Sequence, residues 1–105
     1  MFSGNTVDID GKQIVLDFPV LDAFREGGRV FVLFDPDAAG EDFRNLICID
    51  LNGTRIWEAE LPEAGRQDVY YRISSKQPLV ANSFSSYKVQ LDPETGRILG
   101  KEFVK

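Results

Sequence analysis

Four carboxylates crowd one short stretch of this chain: Asp35, Asp37, Glu41 and Asp42, in the run Asp35-Pro36-Asp37-Ala38-Ala39-Gly40-Glu41-Asp42. Calcium prefers clustered carboxylates, but the EF-hand spacing and its central glycine are missing. The run therefore reads first as a solvated acidic loop. Its alternative use is to offer charge to a basic partner, as an inhibitor fills a cationic site. Charge complementarity of that kind speeds encounter and fixes register.

Other chemistry is largely excluded. The chain has no histidine, so Ser-His-Asp triads, Cys-His dyads and histidine-ligated metal sites cannot be built. The one cysteine, Cys48, lies between Ile47 and Ile49. It reads as a small buried apolar residue, and a nucleophilic thiolate would need a base that this chain does not supply. No glycine-rich phosphate loop precedes a helix. Paired carboxylates could do acid–base work only across a cleft, which linear spacing does not define. Tyr70, Tyr71 and Tyr87 are of the type that anchors interfaces. In a strand one of Tyr70 and Tyr71 faces inward, and cross-strand packing is the plainer role for all three. Tyr70 joins the four acids as a candidate partner contact. No catalytic residue, metal site or cofactor is expected.

Composition sets the frame that must position these groups. The 105 residues are 43% hydrophobic and 28% charged, enough for one modest core in one domain. Net charge is −5, unevenly spread: residues 1–50 hold ten acids and four bases, residues 51–105 seven and eight. Acidity and the lack of a basic groove with interleaved aromatics disfavour nucleic acid and anionic membrane, and favour a basic partner. No apolar run approaches the ~20 residues of a membrane span. The amino end, Met1-Phe2-Ser3-Gly4-Asn5-Thr6, lacks the basic and apolar regions of a secretory signal. With a single cysteine as well, a cytoplasmic place is expected.

The elements read as strands. Leu46 to Trp57 is the clearest unit: an apolar run, a tight Asn52-Gly53 turn expected to be two residues long, and a return ending on the only tryptophan. Residues 6–18 form a hairpin by alternation of Val7 and Ile9 with Asp8 and Asp10, closed near Gly11. Residues 20–28 read as a loop with at most a turn or two of helix, from Val20 and Phe24 at i and i+4 and the stop Gly27-Gly28. Val30 to Phe34 is apolar throughout, so both its faces must be covered, as in a central strand. Further strands follow over 69–73, 79–84 and 87–91, then a turn at 92–96 and a last strand over 97–104. The expectation is an all-β antiparallel domain of eight to nine short strands, a sandwich or an open half-propeller, with blade-like units over 29–61 and 67–104 and the hairpin 6–18 in front.

The turn glycines Gly11, Gly53 and Gly96 stand 42 and 43 residues apart, within the ~40–45 residues of a propeller blade. Asp8, Gly11, Ile14 and Val15 match Asp50, Gly53, Ile56 and Trp57 in spacing. The stretch Gln90-Leu91-Asp92-Pro93-Glu94-Thr95-Gly96-Arg97-Ile98-Leu99 resembles the repeat of quinoprotein-type (PQQ-like) β-propellers, and Ile49-Asp50 to Trp57 is a second, shorter match. The resemblance implies blades with Trp57 packed between neighbours; the same position in the last copy is Gly100. Only about two blades fit, too few for the closed ring that a quinone cofactor needs, so neither cofactor nor dehydrogenase chemistry follows. The expected function is a non-catalytic acidic binding module, such as a bacterial immunity protein that neutralises a basic toxin, for instance a nuclease. A self-associating homodimeric β module is the alternative, followed by a carboxylate enzyme or calcium-binding domain.

Overall fold

The computed structural model describes residues 1–39, 43–62 and 68–104. The fold is all-β. Among the described residues eleven antiparallel strands form three sheets, more than the eight to nine strands and two blade-like sheets expected, and none of these sheets closes into a barrel. Sheet one is β1 (Phe2–Ser3), β2 (Thr6–Ile9) and β3 (Lys12–Val15). Sheet two is β4 (Val20–Glu26), β5 (Arg29–Phe34), β6 (Leu46–Asp50) and β7 (Arg55–Glu58). Sheet three is β8 (Tyr70–Ser75), β9 (Leu79–Ser83), β10 (Tyr87–Leu91) and β11 (Ile98–Phe103). Each sheet is a meander in chain order. No helix among the described residues is long and apolar enough to cross a membrane.

The unbroken apolar runs explain why sheet two lies in the middle. In β5 and β6, Val30, Val32, Phe34, Ile47 and Ile49 pack with Val7, Ile9 and Ile14 of sheet one. The alternate residues Phe31, Leu33, Leu46 and Cys48 pack with Leu79, Ala81, Val89 and Leu91 of sheet three. Register makes this consistent, since Val30 opposes Ile49 and Phe31 opposes Cys48. Strands β2 and β10 each have one buried face only, as their alternation requires. Their outward positions are polar: Asp8 opposite Gln13 on sheet one, and Lys88 between Asn82 and Glu102 on sheet three. These polar rows of β2 and β10 point away from sheet two, on the two outer sides of the stack.

Strand β4 replaces the loop or helical turn expected over 20–28. Glu26 pairs with Arg29 around Gly27-Gly28, a two-residue hairpin turn with Gly27 at φ +57°. A spacing of four is even, so it suits a strand as well as a helix. A bulge between Val20 and Asp22 then shifts the alternation by one. Val20 therefore joins the core against sheet one, and Phe24 the core against sheet three.

The three glycine turns differ in length. Asp10-Gly11 is the two-residue turn, with both residues at positive φ (51° and 81°). The Asn-Gly turn holds three residues, not two. Asp50 donates its amide to the Thr54 carbonyl at 2.9 Å, and only Gly53 has positive φ. The Asp50 carboxylate explains the extra residue, because it accepts from the amides of Asn52 and Thr54 and holds a wider loop. Residues 93–96 make a four-residue turn closed from Asp92 to Arg97. The second and third turns lean on the sheet before them. A Cβ on Gly53 would meet Ile14, and one on Gly96 would meet Trp57. Ile14, not Val15, is thus the structural counterpart of Trp57, and Val15 is 76% exposed. The Trp57 indole also donates to the Pro93 carbonyl at 2.9 Å.

Candidate interaction surface

The sheets have two ends. At the turn end lie the three glycine turns. At the loop end lie the start of the β5–β6 loop, the end of β7, the start of β8 and the β9–β10 turn, and with them Asp35 and Asp37 of the acids singled out from the sequence. Pro36–Ala38 forms one turn of 3-10 helix with Pro36 at its start, where no amide is missed. Asp35 caps it: its carboxylate accepts from the Asp37 amide at 2.9 Å, and its own amide donates to the Pro19 carbonyl at 2.8 Å. Asp35 is half-buried and occupied locally, while Asp37 is exposed. Glu41 and Asp42 lie outside the described residues.

Much of the acidity has structural work. Asp8, Asp35, Asp50 and Asp92 each accept backbone amides within their own turns, the standard behaviour of aspartate in tight turns. Asp10 pairs with Arg25 at 2.8 Å across sheets one and two, and Glu94 with Arg29 at 3.0 Å across sheets two and three. Such exposed pairs contribute ~0–1 kcal/mol each and mainly fix how neighbouring sheets meet.

Tyr70 is corrected from a surface contact to a core residue. It is fully buried among Leu33, Leu46 and Leu79. Its hydroxyl donates to the Glu60 carbonyl at 2.5 Å, and its amide to the Asn45 side-chain oxygen at 3.0 Å. Tyr71 faces outward in its place, 41% exposed, with its ring 5.1 Å from that of Phe84, which is 55% exposed. The bulge between Tyr70 and Arg72 gives Tyr71 this position. Phe84 was not singled out from the sequence, although a phenylalanine flanked by Asn82-Ser83 and Ser85-Ser86 is a signal of exposure.

Asn45 joins these parts. It is fully buried, and its amide group donates to the Phe34 carbonyl at 3.1 Å and to the Tyr70 carbonyl at 2.6 Å. Asn45 thereby clamps the base of the acidic loop to the start of β8, so that Asp37 and the Tyr71–Phe84 pair share the loop end. Asp68, also fully buried, accepts the Ser85 amide at 2.9 Å and fixes the β9–β10 turn beside them.

The reactive groups are quiet. Burial pushes the Cys48 thiol up to about 11, against a partly offsetting pull from Arg29. Burial, and then the charges of Asp68 and Glu60, push the Tyr70 phenol up as well. Both groups are neutral in the folded state where the unfolded chain would ionise, from about 9.0 and 10.0. Their contribution to stability is therefore full below pH ~9 and is lost as pH rises through and beyond that point. Urea midpoints are expected to be flat from pH 7 to 8.5 in this respect and to fall above pH ~10. In Tyr70→Phe the part of that alkaline fall due to Tyr70 is expected to vanish. Among the described residues no three carboxylate or thiol side chains converge as a metal set.

The chain belongs to the DUF7957 family, a domain of unknown function whose match covers residues 1–103. A search of the curated proteins returned no match.

Proposed function

We propose that this chain is a non-catalytic, cytoplasmic binding module that holds one basic protein partner at the loop end of its sheet stack. An immunity or inhibitor protein against a basic toxin, such as a nuclease, is the class that fits. The observation that carries the reading is the Asn45 clamp, which places exposed Asp37 and the exposed Tyr71–Phe84 pair on one end of a rigid scaffold. Aromatic anchors with a charged surround are the usual make-up of a protein contact. The charge split in the sequence favours a basic partner without locating its contact. Residues 1–50 carry the net negative charge, and they include the whole of sheet one and most of sheet two.

Self-association through the edge strand β11 has less support. Leu99 and Phe103 are exposed there, but Lys101 at its centre is tied to the Pro62 carbonyl at 2.9 Å, and the Glu60 carboxylate covers the Ile98 amide. A lysine in mid-edge also opposes its own copy in a symmetric pairing. The test is affinity capture from the native host with the wild-type chain and with Asp37→Lys/Glu41→Lys/Asp42→Lys, which leaves the Asp35 cap intact. A basic partner that weakens with salt and with the triple reversal is expected.

A further inference from the structure

The turn end carries a separate feature. Between the β4–β5 hairpin, the β8–β9 turn and the β10–β11 turn, a cavity of about 240 Å³ opens where sheets two and three diverge. Its floor is Phe31, Leu79 and Leu91, all buried, and Leu99 forms an exposed apolar lip. The rim carries both signs of charge. Arg29 and Glu94 are committed to each other, and Arg29 also donates to the Pro93 carbonyl at 3.0 Å, so they form a fixed wall. Glu26 and Lys76 are different. Among the described residues neither meets an opposite charge. The Lys76 ammonium stands 5.2 Å from the Phe24 ring centroid, an attraction that keeps it near the mouth.

An apolar floor with a few unpaired polar groups converging on it is the general form of a small-ligand site. The volume lies below the ~300–1,000 Å³ of drug-sized ligands, so the occupant must be small. A neutral apolar molecule would leave both rim charges unused. An anion alone would leave Glu26 facing it unpaired, and a cation alone would leave Lys76 so. We propose that this cleft binds a small zwitterion with an apolar side chain, the class of free α-amino acids such as leucine and phenylalanine. The carboxylate meets Lys76, the ammonium meets Glu26, and the side chain covers Leu99 and sits above the buried Leu79 and Leu91.

The experiment is a methyl and amide NMR titration of the intact chain with leucine and phenylalanine, beside isocaproate and isopentylamine, which keep one charge each. Saturable shifts at the methyls of Leu79, Leu91 and Leu99 are expected with the amino acids, and affinities about tenfold or more weaker with either analogue. Lys76→Gln and Glu26→Gln alter exposed side chains, and their amide spectra report that the fold is retained. Lys76→Gln is expected to bind the amine and the amino acid equally, and Glu26→Gln to do the same for the acid. Absence of saturable shifts with either amino acid overturns the proposal. So does wild-type preference in both folded variants.

Discussion

Gly96→Ala is expected to destabilise the protein by about 3 kcal/mol, and Gly11→Ala by only ~1–2 kcal/mol. Both glycines sit at positive φ, 74° and 81°, so both variants meet the backbone cost of a left-handed alanine. They differ in what the new methyl meets. At Gly11 nothing lies within 4 Å, whereas at Gly96 the Cβ would stand 2.5 Å from Cε3 and 2.7 Å from Cδ2 of Trp57. The indole cannot swing aside cheaply, because it donates to the Pro93 carbonyl of the same turn and packs 5.8 Å from the Phe31 ring. Overpacking of that kind costs ~1–3 kcal/mol beyond the backbone term. Urea unfolding followed by the fluorescence of the single tryptophan measures the difference directly. Equal losses in the two variants would mean that the turn does not rest on Trp57. Gly53→Ala is intermediate, since the atoms in its way belong to the softer Ile14 side chain.

Asn45→Ala is expected to cost about 3–4 kcal/mol and to loosen the loop end. The substitution strands three buried backbone groups at once: the amide of Tyr70 and the carbonyls of Phe34 and Tyr70. Each orphaned group costs ~1–3 kcal/mol, discounted where relaxation or water offers a partner. Tm should fall by roughly 12 °C or more, taking the low end of the shift per kcal/mol for a small domain. Asn45→Asp is expected to be no better, because a carboxylate accepts the Tyr70 amide but aims its second oxygen at two carbonyls. Calorimetry on both variants checks the ranking. A Tm within a few degrees of wild type for Asn45→Ala would remove the clamp from this account.

The fold was legible where one physical cause dominated. The continuous apolar residues of β5 and β6 demanded two covered faces, and sheet two received them. The even spacing of the turn glycines marked three repeated turns, and the three sheets each close one of them. Legibility failed where parity decided the outcome. Val20 and Phe24 stand four apart, which both a helix and a strand accept, so β4 was hidden until its pairing with β5 broke the tie. The length of the Asn52-Gly53 loop depended on the Asp50 carboxylate, a side-chain contact that turn statistics do not carry. The choice between Tyr70 and Tyr71 depended on which of them the bulge in β8 would send outward. Alternation says that one is buried and gives no sign of which. Asn45 had no signal at all. An asparagine just before an apolar strand looks like a loop end, and its role exists only because β8, 25 residues later, returns beside it. The acidic loop reads as free charge in the sequence, yet one of its two described acids, Asp35, is a cap.

Affinity capture tests the central claim most directly, using the wild-type chain beside Tyr71→Ser/Phe84→Ser, both expressed in the native host. These two side chains are exposed, so the double variant should keep its fold and its Tm. One stoichiometric basic protein retained by the wild type and lost by the double variant is the expected result. The same partner held equally by both chains, or no partner held by the wild type, would contradict the assignment of the loop end as a protein contact.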